Sequence, residues 1–146
     1  MGATPGARAL RLLIAAGLAV DAYVHIHLAG RYGPVAHGIS QGLLFRIEGG
    51  VAILMALIVL ASASRFLHFV AFLVAASALG AVLLYRYVKV GPLGPLPDMY
   101  DPTWYPEKTW SAVAEGAATV CAALLVFSRG GAAQPKKPKG SYKYYS

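Results

Sequence analysis

The sequence predicts an all-α fold, a polytopic membrane four-helix bundle with four transmembrane helices. Apolar residues make up 58% of the 146 residues and charged residues only 13%, whereas soluble domains carry roughly 25% charged residues. Four apolar stretches are long enough for a helix to cross a bilayer, which takes ~20 residues. The chain is also too short for two ordinary domains. We therefore expect a single transmembrane domain over residues 1–128.

The four predicted spans follow one another with short connections. They cover residues 9–29, 42–63, 66–89 and 109–128. The turn between the second and third spans, Ser62 to Arg65, is so short that these helices must be antiparallel neighbours. The third span carries Ala71, Ala75 and Ala78 on one face, and small residues let helices approach closely in lipid. The pattern is typical of a tightly packed bundle.

The first span also has a second interpretation. Arg8 and Arg11 precede an apolar run, and Val20-Asp21-Ala22 resembles the small-residue cleavage site of a signal peptide. The apolar run continues to Ala29, however. We therefore expect the first span to be retained as a transmembrane helix.

The basic residues predict the orientation in the cell membrane. The chain has a net charge of +7, and its C-terminal segment holds Lys136, Lys137, Lys139 and Lys143. Because Lys and Arg are enriched on the cytoplasmic side, this segment and Arg8 and Arg11 place both termini in the cytoplasm. Residues 129–146 are predicted to be a disordered basic tail whose four lysines contact anionic lipid. With the charge concentrated there, nucleic-acid binding is not expected.

Ionisable residues inside the predicted spans mark a candidate site, because such groups are rare and costly in a membrane. Asp21 and His25 lie four residues apart on one helix face. The residues predicted to lie at similar depth, in the outer half of the bilayer, are Asp21, His25, Glu48, Arg86 and Glu115. We expect them to form one connected intramembrane polar cluster.

Three interpretations of this cluster remain open. The first is a structural ion-pair network in which Arg86 or Arg46 neutralises the carboxylates. The second is an outward-opening site that binds a small ligand or carries protons. The third interpretation is a metal site formed by His25 with the carboxylates, a chemically permissible ligand set. No compact metal-ligand spacing supports the third interpretation, so the sequence by itself predicts no metal.

The segment 90–108 is predicted to lie on the outer surface. It contains five prolines, which stiffen a backbone without forming a helix. Its Tyr100, Trp104 and Tyr105 suit the membrane–water boundary, where aromatic residues are enriched. The segment is either an interfacial anchor or a lid that covers the polar cluster. In the second case, these three aromatic residues form the lid.

One stretch resembles a known family. Phe45-Arg46-Ile47-Glu48-Gly49-Gly50 is followed by a Leu/Ile/Val run, then by Ser64-Arg65 and an alanine-rich span. Over about residues 42–88 this pattern resembles the DoxX-like family of small four-helix bacterial membrane proteins, chiefly through Glu48 and Arg65. The resemblance implies a four-helix bundle associated with membrane redox or oxidative-stress systems.

The chain lacks nucleotide-binding loops, nucleophile elbows and zinc spacings, which removes most enzyme classes and leaves no cofactor indicated. We expect an accessory or assembly subunit of a larger membrane complex, such as a respiratory or redox complex, that contacts other membrane subunits or a second copy. The alternative is a stand-alone membrane protein with an outer-facing polar site that binds a small ligand or relays protons.

Overall fold

Four α-helices make up the regular structure of the residues that the structure describes. A computed structural model describes residues 4–32 and 38–128. The helices are α1 (Pro5–Ala29), α2 (Gln41–Ala61), α3 (Arg65–Tyr87) and α4 (Pro106–Phe127). Each is long and apolar enough to cross a membrane, which confirms the predicted four-helix membrane bundle. The predicted basic tail, residues 129–146 with its four lysines, lies outside the described residues.

The helices begin earlier in the chain than the apolar runs, because polar caps and prolines start them. The hydroxyls of Thr4, Ser40 and Ser64 each accept a hydrogen bond from a backbone N–H three residues on, which is the standard N-cap arrangement. Pro5 and Pro106 occupy the first helical position of α1 and α4, where a missing N–H costs nothing. α1 and α4 therefore start three or four residues before the predicted spans.

The helices are arranged around the bundle in the order α2, α1, α4, α3. α1 packs against both α2 and α4, and α3 packs against α4, whereas α2 and α3 contact each other much less. The short turn does make α2 and α3 antiparallel neighbours, as predicted. The bundle thus has two different ends: the turn end, which carries residues 62–64, and the loop end, which carries residues 30–32, 38–40 and 88–105.

Arginine side chains close the turn end. The Arg11 guanidinium donates to the carbonyl oxygens of Val59 at 2.8 Å and Leu60 at 2.5 Å. Arg65 donates to the Val126 carbonyl, its Nε at 2.7 Å. The last carbonyls of a helix have no partner within it and carry partial negative charge. The two arginines therefore tie α1 to the end of α2 and α3 to the end of α4.

Gly17 brings α1 and α4 into direct backbone contact. A Cβ atom at this position would lie 2.8 Å from the Ala114 carbonyl oxygen and 3.1 Å from the Ala118 Cβ. Such distances are shorter than side-chain atoms tolerate, so only glycine allows this approach. Asp21 lies one turn beyond Gly17, and Glu115 directly follows Ala114. The glycine therefore sets how closely these two carboxyl groups meet.

We expect Gly17→Ala to lower the free energy of unfolding by about 1–3 kcal/mol, because the added methyl group forces α1 and α4 apart. Gly80→Ala is the matched control, since a Cβ there meets no atom within 4 Å and alanine favours a helix. Thermal unfolding in mild detergent measures both variants. Equal melting temperatures for the two would contradict the close contact.

Candidate functional site

A group of polar side chains lies in the bundle interior between α1 and α4. Asp21 and Glu115 are completely buried, and His25 and Ser111 are nearly so. His25 Nδ1 lies 2.8 Å from Asp21 Oδ1. Ser111 Oγ lies 2.6 Å from Glu115 Oε1 and 3.1 Å from Asp21 Oδ1. The four side chains therefore form one continuous network across the α1–α4 contact.

Helical spacing explains how each helix contributes a pair. Asp21 and His25 are four residues apart on α1, as are Ser111 and Glu115 on α4, so each pair shares one helix face. The structure thus joins Asp21, His25 and Glu115, three of the five residues predicted to cluster. Ser111 was missed in the sequence, where a serine carries no charge to mark it. Its position four residues before Glu115 was the one available signal.

The network has more acceptors than donors. The Ser111 hydroxyl has a single hydrogen, so it can donate to only one of its two carboxyl neighbours at a time. Asp21 Oδ2 and Glu115 Oε2 are buried without a hydrogen-bond partner among the described residues. His25 compensates one carboxylate only when its ring is protonated. The second needs a proton or another cation, because an uncompensated buried charge is strongly destabilising.

Glu48 and Arg86 occupy different positions from the network. Glu48 on α2 lines the same cavity as His25, and its Oε1 is buried with no hydrogen-bond partner in the described ranges. The Arg86 guanidinium instead lies over the rings of Tyr87, at 4.8 Å, and Trp104, at 5.7 Å. Within residues 4–32 and 38–128 it forms no ion pair with a carboxylate. The neutralising role predicted for Arg86 is therefore not seen there.

A cavity of about 300 Å³ lies at the loop end, where α2 and α3 separate. Most of its wall is apolar, and it is lined by aromatic rings and by polar groups from every helix. The aromatic lining residues are Tyr32, Phe45, Tyr85 and Tyr105, and the polar ones include His25, Glu48, Lys108 and Ser111. Ile47, Ser77 and Ala81 also line it and are exposed on the bundle surface. The cavity therefore opens sideways between α2 and α3.

The segment before α4 covers the cavity through only one of the three predicted lid residues. Tyr105 lines the cavity, and its hydroxyl lies 3.3 Å from that of Tyr32. The Tyr100 ring instead packs 5.3 Å from Lys89 Nζ, and Trp104 packs against Arg86. Cation–π contacts of this kind stabilise the position of a ring. Tyr100 and Trp104 thus anchor the segment, and Tyr105 closes the cavity.

Charge pairing holds the same segment against α4. Lys108 Nζ donates to the Asp101 carbonyl at 2.6 Å and lies 3.3 Å from Asp101 Oδ2. Partial burial would raise the pKa of Asp101, but hydrogen bonds from Thr103 and the charge of Lys108 outweigh it and lower that pKa. Burial and the hydrogen bond to Tyr32 raise the pKa of the Tyr105 phenol. Asp101 is therefore ionised and Tyr105 neutral at physiological pH.

Comparison of the chain with protein-family models, with curated proteins and with solved structures finds no match. The resemblance to the DoxX-like family therefore stays a prediction. In the structure, Glu48 of the motif that carries it lines the cavity, and Arg65 binds the last turn of α4.

We expect Ser111→Ala to lower the free energy of unfolding by about 1–3 kcal/mol, because it removes the donor between two buried carboxyl groups. Ser77→Ala is the control. Its hydroxyl also donates a hydrogen bond, at 2.9 Å to the Val74 carbonyl, but it is exposed. That variant should change stability by no more than about 0.5 kcal/mol. If Ser111→Ala were as stable as Ser77→Ala in thermal unfolding, the network would have no structural role.

Proposed function

We propose that the protein is a multi-pass protein of a bacterial cell membrane that binds a small, largely apolar ligand with one polar end. One observation carries this proposal, the cavity of about 300 Å³ at the loop end. Small-molecule sites are concave and mostly apolar, with a few polar groups that orient the ligand. The cavity has this character, since aliphatic and aromatic side chains form most of its wall and His25, Glu48 and Ser111 supply polar atoms.

The position of the opening supports a ligand that enters from the bilayer. Ile47 on α2 and Ala81 on α3 flank the gap, and both are exposed on the lipid-facing surface. A molecule that dissolves in lipid reaches this gap without crossing a polar surface. Tyr105 and Lys108 border the cavity towards the loop end, so a polar end has partners there as well as at Glu48.

The charge distribution supports an orientation with both termini in the cytoplasm. Arg11 and Arg65 lie at the turn end, opposite the cavity, and the basic C-terminal segment adds to the same side. With positive charge inside, the loop end and its cavity belong to the outer half of the membrane.

Filling the cavity tests the proposal. We expect native mass spectrometry of the protein in mild detergent to show a bound small molecule in the wild type. Ala81→Trp should lose this adduct, because the indole occupies the opening between α2 and α3. Leu83→Trp is the matched control, since Leu83 is an exposed residue of α3 that does not line the cavity, and it should keep the adduct.

Glu48→Gln extends the same experiment to the polar end of the ligand. Loss of a charged hydrogen-bond partner is worth roughly 1.5–3 kcal/mol, so ligand retention should fall about 10- to 100-fold. A wild type that carries no small molecule, or an Ala81→Trp variant that binds as well as Leu83→Trp, would contradict a ligand site in this cavity.

A second observation favours an accessory or assembly subunit of a larger membrane complex, such as the redox systems that the DoxX-like resemblance implies. A shallow groove runs along α1 and α2 on the lipid-facing side, away from the cavity. Its lining is entirely apolar and half of it is alanine: Leu12, Ala15, Ala16, Ala19, Ile53, Ala56, Leu57 and Leu60. Small residues let another transmembrane helix approach closely. We infer a helix of a partner subunit as its occupant.

Site-specific photocrosslinking in native membranes tests this second function. A benzophenone amino acid at Ala19, in the groove, should give one discrete adduct with another membrane protein. The same probe at Leu13, exposed on α1 outside the groove, should not. An adduct of twice the chain mass would indicate self-association instead, and equal labelling at both positions would argue against a partner helix.

A further inference from the structure

Three side chains of the α1–α4 network have the atoms and the spacing of a metal site. One carboxylate oxygen each from Asp21 and Glu115 and one ring nitrogen of His25 all lie within 4.8 Å of one another. Helical spacing and the close approach at Gly17 hold these groups together from two different helices. They are buried in the bundle, whereas most acidic clusters lie on protein surfaces.

The unpartnered oxygens are an independent sign of a missing partner. Asp21 Oδ2 and Glu115 Oε2 belong to completely buried side chains, yet neither has a hydrogen-bond partner in the described part of the chain. Buried carboxylate oxygens are almost always bonded. His25 and Ser111 contact the other oxygens of these groups, Asp21 Oδ1 and Glu115 Oε1, so a cation bound between the carboxylates would give both remaining oxygens a partner.

We propose that Asp21, His25 and Glu115 bind a divalent transition-metal ion, with Zn²⁺ or Mn²⁺ as the matching class. Two carboxylates and one neutral imidazole carry two negative charges, which a divalent cation cancels inside the membrane. The imidazole nitrogen favours such an ion over Mg²⁺ or Ca²⁺, which prefer oxygen ligands.

The surroundings suit this site. Ser111 Oγ, at 2.6 Å, donates a hydrogen bond to Glu115 Oε1 and so orients a ligand carboxylate, the role of an outer partner at metal sites. His25 and Ser111 line the cavity, so the three-residue group borders an open space inside the bundle. Three protein ligands leave a coordination position open, as in zinc sites that also bind water or a substrate. This inference goes beyond the proposed ligand site and does not depend on it.

Metal content and metal affinity of the full-length protein test the assignment. The protein is purified in mild detergent through a tag without histidine, and its metals are measured by mass spectrometry of the elements. We expect one equivalent of a transition metal per chain. After chelation, added Zn²⁺ should bind again and raise the melting temperature, and added Mg²⁺ should not. Co²⁺, used as a spectroscopic probe, should give visible absorption bands typical of nitrogen and oxygen ligands.

Variants identify the ligands. Asp21→Asn, His25→Gln and Glu115→Gln should each weaken Zn²⁺ binding by more than about 100-fold, since even outer partners of metal sites are worth 10- to 100-fold. Glu107→Gln is the matched control, because Glu107 is a partly buried carboxyl of α4 that lies outside the three-residue group and does not line the cavity. It should bind Zn²⁺ within about threefold of the wild type, a free-energy change below ~1 kcal/mol by RT ln K.

The possible outcomes distinguish the absence of a metal site from a wrong assignment of its ligands. A wild type without bound metal, without a Co²⁺ spectrum and without a melting shift in Zn²⁺ would overturn the proposal and leave a shared proton between Asp21 and Glu115. Equal loss of Zn²⁺ in Glu107→Gln would overturn the ligand assignment. If the ligand variants fail to fold, the wild-type stoichiometry and Co²⁺ spectrum still decide the question. Ala81→Trp should keep its metal. Failure of the proposed small-molecule site is therefore distinguishable from failure of the metal site.

Discussion

The contact between α1 and α4 brings two fully buried carboxyl groups together, and much of the structure depends on how their charge is compensated. Asp21 and Glu115 meet across a helix pair that Gly17 holds close, with Ser111 between them. In a membrane interior neither group can turn towards water, so each needs a donor or a cation. His25 supplies one compensating group from α1 itself. This contact therefore couples the packing of the bundle to the chemistry of its interior.

The two ends of the bundle use charge in opposite ways. At the turn end, Arg11 and Arg65 bind the last carbonyls of neighbouring antiparallel helices, which closes that end and stabilises the helix termini. At the loop end, α2 and α3 separate and leave a cavity. Since α2 and α3 contact each other less than the other neighbouring helices of the bundle do, this is the side on which the bundle can open. The buried network lies where the closed part of the bundle meets the cavity.

The segment before α4 connects the surface to this cavity. Pairing of Lys108 with Asp101 and stacking of Arg86 on Trp104 fix the segment in place, so that Tyr105 meets Tyr32 at the cavity. Basic side chains here hold a covering segment, and they do not neutralise the buried carboxylates. The acidic groups of the interior are left for His25, for protons or for a bound cation to compensate.

The sequence by itself determined the number of helices, their approximate limits and the membrane as their environment, because apolar length is a local property. It also placed Asp21 and His25 on one face, since the helical repeat relates residues four apart. The similar depth of the ionisable residues also predicted that Glu115 joins them. Only the tertiary structure decided that Arg86 turns to aromatic rings, that Ser111 bridges the carboxyl groups, and that Tyr105 alone of the lid residues lines the cavity. These facts depend on the rotation of each helix about its axis and on the separation of neighbouring helices. Both are set by the packing of small residues such as Gly17 against a partner distant in the chain, which no local pattern encodes.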